Sequence, residues 1–196
     1  MRCKRYTVFS AVFMLLLGLS LVPHARADEW NQKTEMNFNG PIEIPGKVLP
    51  AGTYWFTLLN DDPDRDIVQV WNSNQTELLG TLLTVPDYRM KPTGKTVVMF
   101  EERPSDQPEA LEAWFYPGDN YGHEFVYPES RAREIAKRTN HPVLSMPDEM
   151  TRDINTQAHS AKEAPISELK SAHVKTTTPT GTELDNAQAT TAPPKQ

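Results

Sequence analysis

Between residues 33 and 143, apolar and polar side chains alternate one by one in short runs, and proline, glycine, asparagine or aspartate cuts off almost every run. Period-two alternation sends successive side chains to opposite faces of a strand, and no single helix face can bury it. Thr34, Met36 and Phe38 alternate before the turn Asn39-Gly40-Pro41, and Ile42 and Ile44 follow before Pro45-Gly46. Val48-Leu49 leads into Pro50-Ala51-Gly52, then Thr53 to Leu59. The runs "IVQVW", "TELLGTLLTV", "TVVMFEE", "LEAWFY" and "HEFVY" come next, with "NDDPDRD", "NSNQ", "PDYRMKPTGK", "RPSDQPEA" and "PGDNYG" between them. Gly46 and Gly52 permit backbone angles other residues avoid, and Pro45 and Pro50 withhold donors, so pairing is confined to the runs. Gly80 interrupts its run where a bulge is expected.

Eight or nine short strands with frequent turns predict an all-β domain, an antiparallel β-sandwich or barrel-like body. One short C-terminal helix should close it. "PESRAREIAKR" has Pro128 near its first turn, Glu129 at the positive end, and Lys137 and Arg138 at the negative end, with Asn140 and Pro142 as the stop. Its only apolar stripe is Ala132, Ile135 and Ala136, which suits a helix lying on a sheet.

The ends of the chain read differently. Arg2, Lys4 and Arg5 precede an apolar stretch from Val8 to Val22, and Pro23 and Ala25-Arg26-Ala27 follow, the pattern of a secretory signal peptide over 1–27 with cleavage after Ala27. The stretch is shorter than the ~20 residues a helix needs to cross a bilayer, so no membrane association is expected after cleavage. The one cysteine, Cys3, lies in the segment to be removed, which leaves a domain held by packing alone and leans toward a secreted or periplasmic protein of the bacterial envelope. Removing Arg2, Lys4, Arg5 and Arg26 from the 20 basic residues leaves 16 against 26 acidic ones, a net charge of −10 that argues against nucleic acid and anionic lipid. From about Ser145 aromatic residues vanish, as in "KTTTPTGTELDNAQATTAPPKQ". The expected organisation is a signal peptide over 1–27, a β-sandwich over 28–143, and a disordered polar tail over 144–196. Ile166, Leu169 and Lys170 stand at helical spacing, but an isolated helix that short is marginal in water.

"GKVLPAGTY" resembles a stretch of exported bacterial β-sandwich domains of unknown function, in which a short strand, a Pro-Ala-Gly turn and an aromatic strand follow one another. The wider run through "WFYPGDNYGHEFVYP" is similar to uncharacterised secreted proteins of soil bacteria. The resemblance spans roughly residues 33–143, implies fold and compartment, and brings no activity with it.

Catalytic and metal motifs fail at identifiable positions. "PTGKT" ends like a phosphate-binding loop, but Arg89 stands where the first glycine belongs. Asp62, Asp64 and Asp66 open like a calcium loop, yet Ile67 replaces its glycine and Ser73 its closing glutamate. There is no G-x-S-x-G and no thiol nucleophile, and "HEFVY" is not H-E-x-x-H. No cofactor is expected. Asp119, His123 and Glu124 beside a glycine-containing turn are the one group that could share a metal or a proton, though turn and strand-start roles explain the same residues. Glu101, Glu102, Glu112 and Glu124 are available as acids, but their spacing selects no pair for sugar hydrolysis.

Strand parity singles out one surface. Tyr54, Phe56 and Leu58 share the apolar side of their run, leaving Trp55 with Thr53 and Thr57; Trp71 falls with Gln69; and Trp114 falls with Glu112 and Tyr116. Trp55, Trp71, Trp114, Tyr116, Gln69 and Glu112 are the candidate ligand-binding residues, a platform on which sugar rings or other flat apolar groups would stack. The alternative is that the same tryptophans are covered by the helix or a second sheet. Two classes of function follow: a non-catalytic binding or structural module of the envelope that meets a polysaccharide or another envelope protein, or a small hydrolase or metal-dependent enzyme with its site around residues 119–124. A structural protein without a small-molecule site is the third.

Overall fold

The computed structural model describes residues 32–60, 65–101, 107–150 and 166–185. The expected signal peptide, Trp30, Asp62, Asp64, Glu102 and His159 lie outside the described residues.

Each alternating run forms a strand: β1 (Lys33–Phe38), β2 (Ile42–Ile44), β3 (Lys47–Leu49), β4 (Gly52–Asn60), β5 (Asp66–Asn72), β6 (Leu78–Tyr88), β7 (Val97–Glu101), β8 (Glu109–Phe115) and β9 (Tyr121–Phe125). They make one sheet in the order β1-β4-β5-β6-β9-β8-β2-β3, with β7 on β8. All pairs are antiparallel except the short β2–β8 contact. The path ends at β1 and β3 and does not close into a barrel. It does roll over. Phe38 on β1 meets Phe100 on β7 edge-on, with ring centroids 6.2 Å apart. The interior holds Met36, Phe56, Leu58, Val68, Val70, Leu82, Leu111, Trp114 and Phe125 in one buried cluster. At the Pro50 turn the Tyr54 hydroxyl donates to the Pro50 carbonyl oxygen (2.7 Å), and burial pushes its phenol pKa up.

The predicted helix is α1 (Glu129–Thr139), ending on Asn140 in the left-handed region (φ 59°). Ala132, Ile135 and Ala136 are its buried residues and join the main core. It connects β10 (Tyr127–Pro128) to β11 (Val143–Met146), which pair in parallel, and parallel neighbours need such a crossover. Arg131 ties the helix to the sheet: Nε donates to Glu43 Oε1 (2.5 Å) and a terminal nitrogen to Glu43 Oε2 (2.7 Å), with Glu43 buried. Those hydrogen bonds raise the Arg131 pKa further above its ordinary value. Asp148 accepts from the Ser130 backbone N–H at the helix start (3.0 Å).

The end of the chain departs from expectation. Residues 144–150 and 166–185, assigned by sequence to a disordered tail, contain ordered elements, and the domain boundary at 143 falls at the start of a strand. After β11 come α2 (Ile166–Ser171), β12 (Lys175–Thr177) and β13 (Glu183–Asp185), giving a second sheet in the order β10-β11-β12-β13. Leu169, Ala172 and Val174 pack with Ile67, Leu83, Val85, Val126, Leu144 and Met146 in a second buried cluster. Arg65 donates to the carbonyl oxygens of Lys170 (2.7 Å) and Ala172, capping the last turn of α2. Burying an aliphatic side chain of this size contributes about 2 kcal/mol, which offsets the ordering entropy that an isolated α2 could not. Among the described residues no helix is long and apolar enough to cross a membrane.

Candidate functional site

β1, β4 and β5 are adjacent, and their register makes Trp55 and Trp71 direct cross-strand partners, with Glu35 on the other side of Trp55. One row along, Lys33, Thr57 and Gln69 line up in the same way. Both tryptophans are half-buried, because the alternate residues Phe56 and Val70 take the core side. Trp55 Nε1 donates to the Ser73 carbonyl oxygen (3.2 Å), and the Lys33 ammonium sits 4.9 Å above the Trp55 ring while donating to Gln75 Oε1. An open hollow of about 230 Å³ forms here, lined by Lys33, Thr57, Gln69, Trp71 and Gln75. The C-terminal cluster covers the same face of β5 at Ile67. Trp71 lies four residues further along, about 13 Å away, beyond that cover.

The other half of the expected platform does not join it. β8 is separated from β5 by β6 and β9, so Trp114, Tyr116 and Glu112 stand apart from Trp55, Trp71 and Gln69. Trp114 is fully buried, with its ring 6.2 Å from Phe56 and 5.4 Å from His123. A bulge explains the error. Met99 and Phe100 of β7 face Ala113 and Leu111, leaving Glu112 as an extra residue. One extra residue reverses parity, so Trp114 follows Leu111 into the core and Tyr116 packs against the same cluster. Glu112 itself is half-buried at the bulge.

Around residues 119–124 the structure builds a buried polar knot. His123 is wholly buried; its Nδ1–H donates to Asp66 Oδ2 (2.8 Å), and its Nε2 lies 3.3 Å from Gln32 Oε1. The Tyr121 hydroxyl donates to the same Asp66 oxygen (2.7 Å). Gln32 Nε2 donates to Asp119 Oδ2 (2.9 Å), so Asp119 reaches His123 only through Gln32. Glu124 is next to His123 on β9 and therefore points to the opposite face. In the sequence Asp66 closes the turn run "NDDPDRD", which hides it as a partner, although it shares the parity of Val68 and Val70. Among the described residues no three His, Cys, Asp or Glu side chains are placed to hold a metal ion.

Compared with known proteins, the chain matches no family model, no curated protein and no solved structure.

Proposed function

We propose that the chain is a non-catalytic binding module of an exported protein, and that it takes a saccharide ring of a polysaccharide on the outer face of β4 and β5. The observation that carries this is the in-register pair Trp55 and Trp71, half-buried beside a hollow whose other walls are hydrogen-bonding side chains. Aromatic faces supply stacking area, and Thr57, Gln69 and Gln75 supply directed polar contacts, the combination a sugar ring requires. The alternative hydrolase site is less well supported: His123 has both ring nitrogens engaged and no exposed surface on which to meet a substrate. Acrylamide quenching of tryptophan fluorescence, done on a Trp30→Phe background, tests the proposal. Trp55 and Trp71 should be quenched and then protected by bound oligosaccharide, whereas Trp114 stays dark to the quencher. Absence of any accessible tryptophan, or binding that survives Trp71→Ala unchanged, would refute it.

A further inference from the structure

Lys33 is the cation of the hollow, and its contacts among the described residues are a neutral amide oxygen and an aromatic face, with no carboxylate among them. The chain's net charge is −6, so a positive group at the hollow reverses the prevailing sign locally. Gln75 is unusual in its backbone. Its backbone sits at φ 57°, where the other non-glycine example among the described residues is Asn140 at the end of α1, an ordinary place for asparagine. The loop from Asn72 to Glu77 is otherwise tightly tied: the Asn72 side-chain oxygen accepts from Thr76 N (2.9 Å), and its carbonyl oxygen from Gln75 N (2.9 Å). Glycine would satisfy that backbone better, so the side chain is kept against a backbone cost, and it points to Lys33 and the hollow.

Resting on the saccharide site proposed above, we infer that the hollow takes an acidic sugar, a uronic acid unit, with its ring against Trp71, its carboxylate on the Lys33 ammonium, and Gln75 as a hydrogen-bonding partner. Ligand entry replaces the Lys33 contact with Gln75 and frees the amide for a sugar hydroxyl. Glu35 sets a second condition. It is exposed two residues along β1, about 7 Å from Lys33, on the same face. A polymer charged at every sugar brings another carboxylate toward Glu35, whereas one whose acidic sugars alternate with neutral ones avoids that repulsion.

Titration calorimetry of the full chain with three probes tests this: hyaluronan octasaccharide, in which glucuronate alternates with N-acetylglucosamine; an oligogalacturonate of the same length; and chitin hexamer, which is neutral. The octasaccharide should bind at least about tenfold more tightly than either of the others, as expected for one charged hydrogen bond gained or lost. Lys33→Gln should remove about a factor of ten and most of the salt dependence. Gln75→Gly should weaken binding while raising Tm by about 2–4 °C, an opposition that a purely structural glutamine would not produce. Equal binding of all three probes that is lost in Trp71→Ala but indifferent to Lys33→Gln overturns the acidic-sugar inference and leaves the stacking site standing. Equal binding of octasaccharide and oligogalacturonate overturns the role given to Glu35. No binding of any probe overturns both inferences.

Discussion

Gly122→Ala offers the sharpest test of the packing. Gly122 and Phe115 are cross-strand partners on β9 and β8, and the Phe115 ring occupies the space a side chain at 122 would need. A Cβ built on Gly122 would come within 2.4 Å of Phe115 Cδ1 and 2.5 Å of Cε1, where ordinary carbon contacts start near 3.5 Å. The ring would have to retreat by about 1 Å. It cannot do so freely, because Phe115 is 1% exposed and the Arg89 guanidinium covers it at 4.7 Å, itself held by two bonds to the Asp119 carbonyl oxygen. Overpacking of this kind costs about 3 kcal/mol. Alanine in a strand recovers roughly 0.5–1 kcal/mol of backbone entropy over glycine, which leaves a net loss of about 2 kcal/mol. For a domain of this size that lowers Tm by about 6–8 °C. Phe115→Leu alone should cost about 1–2 kcal/mol through lost ring contact and lost stacking on Arg89. The double variant, which has no ring to strike, should be more stable than the sum of the two by about 1.5 kcal/mol. Urea unfolding of the four proteins measures the cycle. Additive losses, or a Gly122→Ala protein as stable as the parent, would refute the account.

Asp66→Ala removes the acceptor that Tyr121 and the buried His123 share, and should cost about 3 kcal/mol in urea unfolding. Leu169→Ala should cost about 2–3 kcal/mol, and a chain cut at residue 143 should bind the dye ANS, since Ile67, Leu83 and Val85 lose their cover. The Glu183 carboxyl is held below its usual pKa by the hydrogen bond from Lys175, with Arg133 also donating to it. Its folded pKa lies under the unfolded value, so its contribution is fully present above about pH 4.5 and is lost as pH falls through the folded value. Hydrogen exchange should show β12 and β13 loosening first in that acid window, and Glu183→Gln should already show the loosened state at pH 7.

The longer strands of the large sheet were legible because each carries several alternating residues and a clear stop, and the three-residue β2 and β3 because Pro45-Gly46 and Pro50-Ala51-Gly52 mark their ends. Even the bulge beside Gly80 was marked: Val70 and Trp71 face Gly80 and Leu78, skipping Leu79. β10 to β13 were not legible, since strands of two to four residues hold too few side chains for periodicity, and their apolar partners come from distant strands. The threonines of "KTTT" favoured extended backbone, but composition had pointed to a solvated tail. Of the candidate-site residues, parity puts Trp55, Trp71 and Gln69 on one side of their strands and the register sets them side by side, whereas Trp114 is turned inward by a bulge that no letter of β8 announces. Lys33 and Gln75 enter the site through register and loop geometry, which only pairing reveals.

Arg65 grips carbonyls more than a hundred positions downstream, and Ile67 and Leu83 wait for Leu169 to cover them. Ile67, Leu83 and Val85 therefore present an unfinished greasy flank for as long as residues 166–174 are still to be synthesised. The fold is completed only when Leu169, Ala172 and Val174 arrive, and a nascent chain halted short of them is the form that chaperones should hold longest.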